Sequence, residues 1–423
     1  MQKYKLNNNF SYKEIVFFFV LYLSLILSFI LSENSTGGAI LDYYNQKNIS
    51  KQFVYNFFDT LLNYDTFSSR HSPVLIIFLS FLEKINLSDI FIRLIHLHLC
   101  LFLPFVFLKI LKEKIEFKNF NIAVIFLSTL IFFSPTFRSL SIWPDSRLLG
   151  LTIFSISILF YLKFENTKKY KFAILNVITC ALSAYVSPNF SIFSIYFLIN
   201  FILFYGLRTK LLIIIFINIL FSIPAIYYLF ILDVNFINKS AAIGGLLDEN
   251  NIFFINISND ILISFTLLFF YVAPFIYTQI IQSPKILKID NIIISLILCF
   301  VLAINFNYQY NLSGGGIFFK ISYVIFKNNY LFYIISFISI IFILPLLRQN
   351  NFNILLFLLI IINNPQYTIY HKYFDPFLLI VFFSIFKFKL NIHKIKNNKN
   401  ILLIYFYFLS FLLISNLKFL WKI

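Results

Sequence analysis

The chain has 423 residues, 60% hydrophobic and only 12% charged, with 34 Lys and Arg against 17 Asp and Glu for a net charge of +17. So few polar side chains cannot cover a core of that apolar content, which excludes a soluble domain. In a soluble protein the positive charge would suit nucleic acid; here it reads as loop charge that orients helices in a bilayer, so no nucleic-acid partner is expected.

Apolar runs of bilayer length recur from Ile15 to Leu417. Only helices and closed barrels satisfy their backbone in lipid, and barrel strands would alternate in short segments. The expectation is an all-α polytopic membrane protein, one integral domain over 1–423. The spans fall at 15–32, 91–108, 121–135, 146–162, 171–186, 190–206, 211–231, 261–281, 291–306, 329–347, 352–363, 374–388 and 401–417, about 13 transmembrane helices.

In chain order, Lys3, Lys5 and Lys13 precede the first span. No small-residue cleavage site follows it, so it reads as an uncleaved signal anchor. A polar stretch, 33–72, comes next. It carries Glu33, then Gly37-Gly38, which let the chain turn sharply, then Asp42. A carboxylate there can serve as a general base towards a hydroxyl. It can equally be a solvated acid or a helix start; Glu33 and Asp65 are weaker candidates of the same kind. Arg70-His71-Ser72-Pro73 is a normal helix start, with His71 facing the site in the functional reading. The apolar run Pro73–Leu82 is too short to cross and is placed as an interfacial helix in this first loop.

Charge parity supports that placement. With the N-terminus inside and 73–82 not crossing, 21 of the 34 basic residues fall in short inner loops and 12 of the 17 acids fall outside. If the segment crossed, every later basic loop would move outside, against the positive-inside rule. Five polar segments then share the outer face: 33–72, 134–147, 232–260, 308–327 and 366–376.

The second outer segment carries Arg138, Trp143, Asp145 and Arg147. Two arginines at a membrane boundary suit a phosphate, which they grip bidentately. The bland alternative is an Asp145–Arg147 pair anchoring a helix end. In the last segment Tyr370, His371, Lys372 and Asp375 precede a span. Positive-inside reasoning disfavours Lys372 there, and an anionic head group would account for it; a salt bridge to an outer acid is the alternative. Arg93, His96 and His98 open the second span, and the two histidines point to different faces. Cys100, Cys180 and Cys299 lie in apolar runs without metal or disulfide spacing. Gly314-Gly315-Gly316 reads as a flexible outer turn, and Gly244-Gly245 with Asp248 and Glu249 as a lid-like loop.

An early acid in the first outer loop, His71-Ser72-Pro73-Val74-Leu75, the Arg93-led span, Ser134-Pro135 with Arg138 to Arg147, and Lys372-Tyr373-Phe374-Asp375-Pro376 occur in that order. Together they resemble the GT-C membrane glycosyltransferases of the family-39 type, the protein mannosyltransferases and aminoarabinose transferases. The likeness covers the first two hundred residues and 366–388. It departs from the family in having Asp42-Tyr43 instead of Asp-Glu and Ser72 instead of the first Pro of the HPPL element. The resemblance implies a catalytic module over 1–231 and variable C-terminal helices over 232–423, with a donor-binding segment at 366–376. It implies transfer of a sugar from a polyprenyl-phosphate donor at the outer face of a bacterial plasma membrane. Asp42, or Glu33, would be the catalytic base. Arg138, Asp145, Arg147, His71, Tyr370, His371 and Lys372 would bind substrate. No cofactor is required by such displacement, a divalent cation stays open, and lipids are the other partners. An O-antigen polymerase or ligase would carry its large loop later in the chain. A lipid or sugar transporter would need polar groups at mid-membrane.

Overall fold

The computed structural model describes residues 12–67, 69, 71–114, 121–230, 257–282, 288–310, 314–364, 368–395 and 397–421. They are almost wholly helical. Among the described residues, strand pairing is confined to Ile281–Gln282 and Lys389–Leu390, antiparallel with Ile281 opposite Leu390.

Among the described residues, seven helices have the length and composition to cross a membrane: Asp89–Lys114, Ser146–Thr167, Pro188–Tyr205, Thr209–Tyr228, Ile257–Tyr277, Tyr330–Leu347 and Asn398–Leu417. Ala123–Phe133 and Pro135–Ile142, bent by 63° at Ser134, count as an eighth if they form one broken span. Ile15–Ile30, Tyr170–Val186, Ile289–Ile304, Gly316–Phe326 and Asn351–Ile362 are apolar but only 10–17 residues long. The all-α membrane architecture therefore stands, and of the 13 expected spans the described residues show seven or eight of full length.

The clearest correction is at 374–388. Only Phe377–Ser384 is α-helical there, and all eight of its residues are buried. Eight residues rise about 12 Å against a hydrocarbon core of about 30 Å, so this is a core element and not a span. Asn353 turns the chain just beyond it: its Nδ2 donates to the carbonyls of Leu346 (2.9 Å) and Lys387 (2.8 Å), and its Oδ1 accepts from the Lys387 N–H at 2.7 Å. The 308–327 segment was expected to be loop and contains the helix Gly316–Phe326. Its glycines are buried: the Gly315 N–H donates to the Ile369 carbonyl at 2.9 Å, and a Cβ on Gly314 would lie 2.6 Å from that oxygen. The turn is thus tightly packed where a flexible one was expected. The Gly244–Glu249 lid lies outside the described residues, as does Arg70.

Ile257–Tyr277 and Ser146–Thr167 are the most enclosed spans, 72% and 67% buried, whereas Thr209–Tyr228 is 11% buried and faces outwards. Gly150 lets the Pro188–Phe193 turn approach Ser146–Thr167; a Cβ there would sit 2.6 Å from Ser187 Cβ. Phe154, one turn on, packs on Phe190, Phe193 and Phe377 with ring centroids 4.9, 5.0 and 6.3 Å away. That aromatic cluster seats Phe377–Ser384 against Ser146–Thr167. Residues 370–376 are thereby delivered to the helix start that carries Arg147. Pro73–Lys84 is a helix of 12 residues, about 18 Å and short of a span, packed along Ala39–Tyr55. The three cysteines are buried and free.

Candidate functional site

Three segments far apart in sequence meet at one end of the bundle. The first is the start of Ala39–Tyr55, which carries Asp42 in its first turn, where a carboxylate complements the helix dipole. Gly37 holds φ +80°, a region that favours glycine, as the chain turns into this helix. Tyr43 points elsewhere: its hydroxyl donates to Asp89 Oδ1 at 2.6 Å, and Lys47 pairs with the same carboxylate. These contacts tie the helix to the start of Asp89–Lys114. Burial, and then Asp89, push the Tyr43 phenol up.

The second segment is the start of Ser146–Thr167. Asp145 caps it, Oδ1 accepting the Arg147 N–H at 2.7 Å, so the helix-anchoring alternative describes part of its role. Asp145 is 1% exposed and its Oδ2 has no hydrogen-bond partner. The Arg147 guanidinium lies 3.7 Å from the centroid of the Tyr373 ring, and its Nη1 is buried without a partner. Ser146 Oγ lies 3.2 Å from His71 Nδ1. The histidine is held from behind, since the Tyr64 hydroxyl donates to its carbonyl at 2.8 Å. The Ser72 hydroxyl donates to the Tyr185 carbonyl and caps Val74.

The third is 370–376. Lys372 Nζ lies 2.7 Å from Asp42 Oδ2, with side chains 15% and 31% exposed. Tyr370 lies alongside, its ring centroid 5.5 Å from that ammonium. His371 turns away, with Nε2 2.9 Å from the Tyr271 hydroxyl and Nδ1 unpartnered. Burial pushes its imidazole below the ordinary value, against the pull of Asp375.

Asp42, His71, Asp145, Arg147 and Lys372 thus form one electrostatic cluster. Burial pushes the His71 imidazole down, opposed by Asp145 and Asp42 and reinforced by Arg147 and Lys372. Burial would raise the Asp145 carboxyl, but Arg147, His71 and Lys372 together hold it below the usual carboxylate range. Two cations, Arg147 and Lys372, face two carboxylates, Asp42 and Asp145, with the His71 imidazole beside them. A partly exposed carboxylate can take a proton there, while an ammonium and a guanidinium with an unused N–H can receive an anion.

Glu33 and Arg138 stand apart from this cluster as a closed strut. Arg138 Nε donates to Glu33 Oε2 at 3.0 Å, Nη1 to Ser24 Oγ at 3.2 Å, and Nη2 to the Ser24 carbonyl at 3.1 Å and to Ser28 Oγ. Glu33 Oε1 accepts from Ser35 Oγ at 3.0 Å. The pair is 9% and 8% exposed, so both members are committed to each other and to the scaffold. Arg138 was expected to grip phosphate; its guanidinium nitrogens are already engaged.

His96 and His98 do face different ways. His96 Nε2 lies 3.1 Å from the Leu140 carbonyl, whereas His98 Nε2 meets the Tyr22 hydroxyl at 3.2 Å. Arg93 lies over Trp143, 3.5 Å from its ring centroid, and donates from Nε to the Ile142 carbonyl at 3.1 Å. Sequence reasoning missed Tyr373 beneath Arg147, Ser146 beside His71 and Tyr271 beside His371. Each has its partner 75 to 226 positions away, so no local pattern shows which residue it meets. Among the described residues no three His, Cys, Asp or Glu side chains gather as a metal-ligand set.

No family model, curated protein or solved structure matches this chain.

Proposed function

We propose that the protein is a membrane glycosyltransferase of the GT-C type. It transfers a sugar from a polyprenyl-phosphate donor to an acceptor hydroxyl on the outer face of the membrane. The observation that carries this reading is the Lys372–Asp42 contact of 2.7 Å, partly exposed and flanked by Arg147, Asp145 and His71.

In this mechanism Asp42 accepts the proton of the acceptor hydroxyl as its oxygen attacks the anomeric carbon. The bond from that carbon to the phosphate oxygen breaks, and its electron pair leaves with the phosphate. Lys372 and the unpartnered Nη1 of Arg147 take up the charge that develops there, which is electrostatic catalysis. Without donor, Lys372 neutralises Asp42. A phosphate competes for the ammonium and frees the carboxylate to act as base. Asp145 holds the Arg147 end of the site through its cap, and His71 lies against Ser146 at its edge. Glu33 and Arg138 maintain the loop that presents Asp42.

The test is transfer by the reconstituted protein from a panel of polyprenyl-phosphate sugars. Activity that depends on Asp42 and Lys372 supports the reading. An Asp42→Asn protein with full activity, or a reporter fusion placing Arg147 and Lys372 on the cytoplasmic side, overturns it.

A second reading, a lipid or sugar transporter, draws on the 63° break between Ala123–Phe133 and Pro135–Ile142, since broken helices line substrate paths in such proteins. Sugar-lipid movement across vesicles without glycosidic bond cleavage would favour it.

A further inference from the structure

We propose that Asp375 is a positioning residue, and that the half-helix Pro135–Ile142 is the gauge that sets the Asp42–Lys372 contact. Pro135 breaks the helix after Ser134, because it lacks an N–H and disfavours helix at the preceding residue. The half-helix then exposes N–H groups that need acceptors. Ser134 Oγ accepts from the Phe137 N–H at 2.9 Å. Asp375 Oδ2 accepts from the Thr136 N–H at 3.0 Å and from the Ser134 hydroxyl at 2.6 Å, although it lies some 240 positions along the chain. Asp375 is 3% exposed. A carboxylate on a helix N-terminus makes charge-assisted bonds that also suit the dipole.

Asp375 and Lys372 belong to one hydrogen-bonded turn, in which the N–H groups of Phe374 and Asp375 donate to the His371 carbonyl at 2.9 and 3.1 Å. Pinning Asp375 therefore pins Lys372. The same half-helix holds the approach to Asp42. Ser35 Oγ lies 3.1 Å from the Pro135 carbonyl oxygen and 2.9 Å from Ser139 Oγ. The Thr36 N–H donates to Ser139 Oγ at 3.3 Å, and Arg138 holds Glu33. One short helix thus grips both partners of the ion pair from behind. The geometry stands by itself; its weight for catalysis rests on the transfer reading.

The test uses the full chain in membranes with Cys100, Cys180 and Cys299 replaced by alanine, and cysteines at 42 and 372 joined by a short bifunctional thiol reagent. Asp375→Ala lowers the cross-linking yield several-fold, whereas Asp375→Asn, whose amide oxygen still accepts both bonds, retains it. A control pair at Glu113 and Asn166, which contact each other at 3.1 Å elsewhere in the bundle, stays cross-linked in both. Asp375→Ala cross-linking like the parent overturns the proposal. If Asp375→Ala loses the control pair as well, Ser134→Ala, which removes one of the two bonds, is read in its place: an intermediate yield supports the proposal and an unchanged yield overturns it. Where transfer is measured, Asp375→Asn rescues the rate lost in Asp375→Ala. If the cross-linking follows this pattern but the protein with Asp42 and Lys372 intact transfers no sugar, the proposed function is overturned and this positioning role stands.

Discussion

Two acid–base pairs tie the same short loop to later parts of the chain, and they are built for different ends. Glu33–Arg138 is buried on both sides, and serines and main-chain carbonyls take up the remaining donors and acceptors. Asp42–Lys372 has a single contact, is partly open to solvent, and sits beside an arginine nitrogen and an aspartate oxygen that lack partners. A closed network holds a fold and has nothing left to offer a ligand. A half-open pair can exchange its partner. The loop from Glu33 to Asp42 therefore combines a strut and a working end within ten residues.

Breaking each pair sharpens the contrast. Arg138→Ala has the largest expected effect: it strands the Glu33 carboxylate in a buried site and costs about 3–5 kcal/mol of stability, read as loss of thermal stability in detergent. Asp42→Asn leaves stability nearly intact and lowers transfer about 100-fold or more in the reconstituted assay, the scale of a lost general base. If Asp42→Asn unfolds the protein while Arg138→Ala does not, the two pairs have the reverse roles. Gly150→Ala lies outside both pairs and tests the packing that seats Phe377–Ser384. The added methyl meets Ser187, and the expected cost is about 1–3 kcal/mol in the same melting experiment. Lys372→Met changes stability by less than about 1 kcal/mol, as for other partly exposed pairs, while weakening use of the donor, seen as a raised KM.

The smallest effect is on pH dependence. The folded site depresses both His71 and Asp145, so the unfolded chain binds protons more readily than the folded one. Their stabilising contribution is complete above the ordinary histidine value of 6.5 and is lost as the pH falls. Melting temperature should be flat above about pH 7 and decline below about 6.5. His71→Asn should reduce the upper part of that decline, to which the likewise depressed His371 also contributes, and leave the part due to Asp145, at more acid pH.

Much of the molecule was legible in its sequence. Composition dictated a helical membrane protein, because lipid leaves few other ways to satisfy the backbone. Ser72-Pro73 gave a helix start where it occurs, since proline fixes the first turn and serine caps it; Ser134-Pro135 starts a helix in the same way, where an outer loop was expected. The segments carrying Asp42, His71, Asp145, Arg147 and Lys372 were singled out as polar groups at apolar boundaries, which are costly without a partner or a task. Span number was less legible. Hydropathy cannot distinguish a run facing lipid from one enclosed by protein, and Phe377–Ser384 is as apolar as any span yet only eight residues long.

Only the tertiary structure decided how these charges are shared. Arg138 and Arg147 look alike in the sequence, nine residues apart. One is saturated by Ser24, Ser28 and Glu33, and the other lies over Tyr373 with a nitrogen unused. Asp375 reads as a residue before a proline and proves to cap a helix some 240 positions away. Local chemistry fixes what each residue can do. The partner it meets depends on contacts that close only when the whole chain is packed, and those contacts separate the strut from the site.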